Sequence, residues 1–280
     1  MTTVQIGSLT LSDSATAGWT FQKLTDWYTL PASKTPIRAR PLGSHGAFSI
    51  DRDWLDSAAI SVEGWFLGES LAECVAAKRS LASVGGGQMA TVTVTDAEGA
   101  SSRSVSIRQI SILDDYDETA FGFVVDMIAP DPRRYGAPVT TSTGLPSSGT
   151  GQPWPQVWPA DWGTPGSPGR VTATNTGTAS TALLLTVAGG LSGGVELVAV
   201  GSGRVLRLER VIPNGSTVMF DAATGRVYLD ARANDITGFL TKREWDGFIV
   251  PGGGSVTVQM NPLGVTSGTP TLTVQYAPAN

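Results

Sequence analysis

The 280-residue sequence predicts a mainly β protein of two domains, the first made of strands with one helix and the second a two-sheet sandwich or jelly roll. Three observations carry this. Period-2 apolar series dominate residues 1–137, interrupted by a single stretch of helical period. Eight short strand signals at about ten-residue spacing follow residue 170, each closed by turn chemistry. Between them, 138–169 is crowded with Pro, Gly and Trp. No β–α alternation occurs, which excludes doubly wound and α/β-barrel folds.

In chain order, Val4-Gln5-Ile6 and Leu9-Thr10-Leu11 open the first domain. Ile60, Val62 and Gly64 alternate with Ser61 and Glu63, and Val92 and Val94 alternate with threonines. Phe121, Phe123, Val125 and Met127 form a strand with one buried face. Between Val105-Ser-Ile107 and Ile110-Ser-Ile112 the apolar phase slips by one residue, and a bulge near Arg108-Gln109 restores the face. The one helix begins at the capping box Ser70-x-x-Glu73 and ends at Gly85-Gly86-Gly87. Its stripe of Leu71, Cys74, Val75, Lys78, Leu81 and Ala82 is expected to pack on a sheet, with the Lys78 stem snorkelling.

Residues 138–169 contain Pro146, Pro153, Pro155, Pro159, Pro165 and Pro168. Proline fixes φ and removes ladder donors, so this stretch is expected to connect the domains. The second domain, 170–280, is expected to hold strands over 170–175, 181–187, 195–200, 205–211, 217–221, 226–230, 255–260 and 271–276. Asn175-Thr-Gly177, Gly189-Gly190, Asn214-Gly215, Ala223-Thr-Gly225 and Gly252-Gly253-Gly254 supply the turns.

Composition bounds the chemistry. Charged residues are 15%, against about 25% in an average globular chain. The net charge of −5 lies wholly in residues 1–140, which hold 11 basic and 16 acidic residues; the remainder balances at 8 and 8. Without a basic surplus, duplex DNA is not an expected partner. One cysteine allows no intrachain disulfide. The start MTTVQIGSLTLSDS lacks a signal-peptide pattern, and the longest apolar run, Leu183 to Val187, is far below a membrane span, so a cytoplasmically made chain with no membrane partner is expected. With His45 alone, a Ser-His-Asp or Cys-His system has one place to stand.

Each remaining cluster has a plain structural reading. Gly252-Gly253-Gly254 and Gly201-Ser-Gly203 precede no helix and read as hairpin turns, not phosphate cradles. Asp51-x-Asp53-x-x-Asp56 and Asp114, Asp115, Asp117 and Glu118 offer hard oxygens, but neither has calcium-loop spacing, so solvated turns are expected and no metal or cofactor. His45 falls in a polar loop, and Cys74 lies on the helix stripe as a small hydrophobe. Trp154, Trp158 and Trp162 are the candidate contact residues: their rings either pin the connection to its own domain, bury against a partner, or stack on a sugar. No catalytic residue is nominated. A non-enzymatic assembly protein leads; the alternatives are a carbohydrate-binding module for cell-wall glycan and, behind it, a glycoside hydrolase or esterase.

Three segments in order resemble a known family. They are Phe121-Gly-Phe123-Val-Val125-Asp-Met127 running into Asp131-Pro132-Arg133-Arg134-Tyr135; the opening Val171-Thr-Ala-Thr-Asn175-Thr-Gly177; and Phe220-Asp221…Gly225-Arg226-Val-Tyr228, followed by Phe248-Ile-Val-Pro251 and the glycine turn. The set is similar to the distal tail proteins of long-tailed bacteriophages, particularly minor tail proteins of phages infecting actinobacteria. The resemblance implies an N-terminal β-sandwich or split-barrel-like domain with one helix and a C-terminal galectin-like jelly roll. It further implies a homo-oligomeric ring, usually a hexamer, at the virion tail tip, assembled in the host bacterial cytoplasm. The implied partners are the tail tube protein, the tape-measure protein and the tail-tip or hub proteins. The sequence departs from the family in its long Trp/Pro-rich connection.

Overall fold

A computed structural model describes residues 2–15, 17–33, 55–117, 119–149, 155, 158–159, 163 and 165–280, without the side chains of 114–117. The chain forms two compact units, Met1–Gly136 and Ala137–Asn280.

The first unit is a closed seven-stranded barrel: β1 (Thr3–Ile6), β2 (Leu9–Ser12), β3 (Gly18–Thr25), β4 (Ala58–Leu67), β5 (Met89–Asp96), β6 (Gly99–Asp117) and β7 (Ala120–Ala129), in the order β1-β2-β3-β4-β7-β6-β5. A closed barrel, in place of a sandwich, leaves no edge strand to manage. Closure comes from β1, which pairs with β2 and also with β5 through Val4↔Val94 and Ile6↔Val92. The period-2 series point inward: Ala58, Ile60, Val62 and Phe66 from β4, and Phe121, Phe123, Val125 and Met127 from β7, are all buried. The expected bulge is present, because β6 skips register between Ile107 and Gln109. Ile107 then opposes Met127 and Ile110 opposes Val125, so both phases of β6 meet the inward face of β7.

The core is aromatic at one end. Trp19 meets Phe66 at 4.8 Å and Phe123 at 5.3 Å between ring centroids, the latter nearly edge-on at 78°. Gly64 makes room for this packing. A Cβ there would fall 2.4 Å from the Thr20 carbonyl oxygen and 2.7 Å from the Phe123 ring.

Helix α1 (Leu71–Val84) packs on this core through Cys74, Ala77 and Leu81. Ser70 caps it, its hydroxyl accepting from the Glu73 N–H at 3.4 Å. The Glu73 carboxylate does not close the capping box on Ser70 but accepts the N–H of Glu69 at 2.7 Å. The buried stripe also differs from expectation. Leu71 and Val75 are 56% and 39% exposed and Ala82 is exposed, so about half of the apolar arc turns away from the barrel.

The second unit is a sandwich of two antiparallel five-stranded sheets. One has the order β15-β14-β11-β19-β8, from β8 (Val139–Gly144), β11 (Leu184–Ala188), β14 (Thr217–Asp221), β15 (Arg226–Leu229) and β19 (Thr271–Tyr276). The other has the order β16-β13-β12-β18-β9, from β9 (Arg170–Thr174), β12 (Val195–Ala199), β13 (Arg204–Leu208), β16 (Leu240–Arg243) and β18 (Ser255–Pro262). β10 (Thr181–Ala182) and β17 (Ile249–Val250) form a two-stranded patch. Inward residues of both sheets, among them Leu185, Phe220, Val274, Leu197, Leu206 and Met260, share one core. Val139–Gly144 falls in the stretch expected as connection, yet it pairs along the whole of β19 as an edge strand. Among the described residues no helix is long and apolar enough to cross a membrane.

Candidate functional site

Among the described residues the structure brings together no catalytic constellation from the candidates. Trp154 and Trp162 lie outside the described residues, as do His45, Asp51, Asp53 and Glu118. Trp158 is described and stands 80% exposed. Cys74 is buried in the barrel core. Among the described residues no three His, Cys, Asp or Glu side chains gather as a metal site requires.

Two of the sequence motifs are structural locks. The Asp131-Pro132-Arg133-Arg134-Tyr135 element is held at every residue. The Asp131 carboxylate accepts from Arg133 Nε at 2.9 Å, from Arg133 Nη2 at 2.8 Å and from the Tyr135 hydroxyl at 2.7 Å. Tyr135 bridges Ser102 through its own backbone, and Arg134 stacks on the Tyr28 ring at 4.6 Å. Tyr28 in turn donates to Asp96, a bond that, with burial, pushes the phenol up to about 12.

Arg103, which the sequence analysis did not single out, is the buried centre of this lock. It is 4% exposed, donates to the Trp27 carbonyl at 2.8 Å and the Pro132 carbonyl at 2.6 Å, and lies 5.0 Å over the Trp27 ring. Burial, and secondarily Arg134, lowers its guanidinium to about 10. Its signal in the sequence is faint: Arg103 shares a face of β6 with Val105, in a run that otherwise reads as serines.

Burial alone would raise the Asp131 carboxyl, but the hydrogen bonds from Arg133 and Tyr135 outweigh it and hold the group below its usual range. A depressed folded value gives stability that is complete above the ordinary carboxylate value of about 3.9 and is lost as pH falls through the folded value. Hydrogen exchange at the Ser102 and Tyr135 amides is therefore expected to accelerate more steeply between about pH 5 and pH 2.5 in the native protein than in Asp131→Asn, after correction for intrinsic rates. Parallel slopes would refute the lock.

The second lock is Asn175-x-Gly177. Asn175 is 1% exposed. Its Nδ2 donates to the Ala179 carbonyl at 2.7 Å, and its Oδ1 accepts from the Gly177 and Ala279 N–H groups at 3.0 and 3.3 Å. The motif thus ties the opening turn of the sandwich to its final residues, fully satisfying a buried amide.

Among the described residues, nothing covers part of the apolar surface of the barrel. The outward face of β4 carries Glu63, Trp65 and Leu67, with Trp65 40% and Leu67 45% exposed. Beside it, Leu113 of β6 lies over Gly122 of β7, 3.3 Å from where a Cβ would be, and is 49% exposed. The outward arc of α1 adds Leu71 and Val75. Patches of this kind mark contact surfaces. In the sandwich, a groove of about 570 Å³ is lined by Arg170, Ser202, Asp246 and Thr257 together with Val200 and Ile249.

No family model and no curated protein matches the chain. Solved structures do. The Dit protein of phage SPP1, described as a paradigm of the hub adsorption apparatus in phages infecting Gram-positive bacteria, superposes with a TM-score of 0.65 over 100% of this chain and 99% of its own, at 13% identity. The chain has the fold of that Dit protein. Chains of the phage P2 baseplate in its activated conformation match over 98% of both lengths, with TM-scores of 0.58 with calcium and 0.54 with strontium, at 9% and 8% identity. The likeness to the Dit fold spans barrel and sandwich alike, so it covers the complete two-unit order.

Proposed function

We propose that this chain is a structural virion protein at the distal end of a phage tail. In this reading it forms a ring, a hexamer, that joins the tail tube to the tail tip or baseplate, and it catalyses no reaction. The observation that carries the proposal is the end-to-end match of a two-unit chain to a phage hub protein, in the same order and length. The unpartnered apolar surfaces of the barrel support it, since a ring-forming subunit must expose two different complementary faces. The sandwich is proposed to be a galectin-like jelly roll, and the partners to be the tail tube, tape-measure and hub proteins. Assembly would take place in the cytoplasm of the host, an actinobacterium on the resemblance of the motifs. Light scattering and negative-stain images of the purified chain test this. Closed rings are expected at micromolar concentration, and a strict monomer at all concentrations contradicts the proposal.

The exposed ring of Trp158 and the mixed polar and apolar groove at Arg170 favour a second role, recognition of host cell-wall glycan by the same particle component. Retention on cell-wall glycan that is lost in Trp158→Ala or Arg170→Ala would establish it.

A further inference from the structure

We infer that the outward ridge of α1 on one copy of this chain seats against the outward wall of β4 on the next; the inference rests on the ring reading above. The starting point is a mismatch within one unit. An amphipathic helix normally buries its whole apolar arc against its own core. Here Cys74, Ala77 and Leu81 are buried, while Leu71, Val75 and Ala82 of the same apolar arc are left outside. No segment of the described chain covers them.

The spacing and charge of two uncovered surfaces match. Along α1, Leu71, Val75 and Arg79 follow at i, i+4 and i+8, a rise of about 6 Å per step. Along β4, Leu67, Trp65 and Glu63 share the outward face at two-residue intervals, about 6.7 Å per step. Laid together, leucine meets Leu67, Val75 meets Trp65, and the exposed Arg79 reaches Glu63. That carboxylate, 36% exposed, already pairs with Lys23 at 3.5 Å, so Arg79 would join it as a second cation. The flanking Leu113, lying over Gly122, extends the apolar floor beside Trp65.

Both halves belong to the same chain and differ from each other, so the contact is heterologous. Such a contact repeats from copy to copy and either closes into a ring or grows as a filament. This is why a second copy, and not an unrelated protein, is the occupant that the two surfaces specify. The Arg79–Glu63 pair would fix register, while the apolar pairs supply the buried area.

Charge reversal tests the pairing in the full chain. Glu63→Arg and Arg79→Glu should each weaken self-association at least about tenfold, as like charges are brought together, and the double variant should recover most of the loss. A merely structural role for either residue would not give recovery. As a second measurement, Trp65→Cys and Val75→Cys are prepared singly and oxidised. Disulfide-linked dimers should form when the two are mixed and not from either alone, while Cys74 stays buried in the core. Rings that form with no cross-link in the mixture, or a cross-link from one variant alone, would overturn the inference and leave the ring reading standing. Absence of any assembly in the unmodified chain would instead overturn both.

Discussion

Phe123→Ala should remove about 4 kcal/mol of stability from the barrel, the largest single effect expected in the first unit. Phe123 is completely buried, meets Trp19 edge-on at 5.3 Å, and covers the one position of β4 that has no side chain of its own, Gly64. The ring therefore fills space from both sides of the barrel interior. Nothing nearby collapses easily into the void, because β4 and β7 are locked in continuous register from Ala58↔Ala129 to Leu67↔Ala120. Domains of this size are stable by only about 5–15 kcal/mol, so the loss is a large fraction of the total. In calorimetry it should appear as a fall on the order of 15 °C in the barrel transition, with the sandwich transition unmoved. A change below about 1 kcal/mol would mean that the barrel interior is not packed around this residue.

The strands legible in the sequence were those whose alternation is uninterrupted. β14 and β19 fall where their apolar phase places them, and the phase slip at Ile107 was enough to locate the bulge. β3 was not legible, because its register shifts between Phe21 and Lys23 and its apolar residues occupy both phases. β8 carries a single large apolar residue in Val-Thr-Thr-Ser-Thr-Gly; it is a strand through its pairing with β19, a partner about 130 residues away. Closure of the barrel is likewise a long-range fact, since nothing local to Thr3–Ile6 announces two partners.

The candidate contact surface was half visible. The sequence predicts a wholly core-facing stripe on α1, because periodicity reports that an arc is apolar and not which part of it the chain's own core covers. Arg103 was missed for the complementary reason. A buried arginine looks like any surface arginine until the carbonyls of Trp27 and Pro132 are seen to meet it. The tryptophans of the connection stand out by composition; of these Trp158 is exposed, while Trp154 and Trp162 lie outside the described residues.

Gly190→Ala should be among the most damaging small changes in the sandwich. Gly190 has φ +95°, where a side chain is strained, and its Cβ would lie 1.9 Å from the Ser267 carbonyl oxygen. That carbonyl cannot move cheaply, because the same loop donates the Ser267 N–H to the Gly190 carbonyl at 2.7 Å, and Gly190 donates to Ile212 at 3.1 Å. Leu191, the next residue, bridges both Ile212 and Thr266. Strain and backbone displacement together should cost about 4 kcal/mol. Gly215→Ala is the control: its φ is +89° but no atom lies within 4 Å of the added carbon, so about 1 kcal/mol is expected. Urea unfolding followed by the half-buried Trp245 should separate the two variants, and equal losses would show that the close approach at Ser267 is not made.

We propose that the chain occupies the end of a phage tail as a structural ring. Gold-labelled antibody raised against the purified chain and applied to intact virions tests this most directly. Label concentrated at the tail end away from the head is the predicted result. Label on the head, label along the whole tail tube, or particles that carry none of the protein would contradict it.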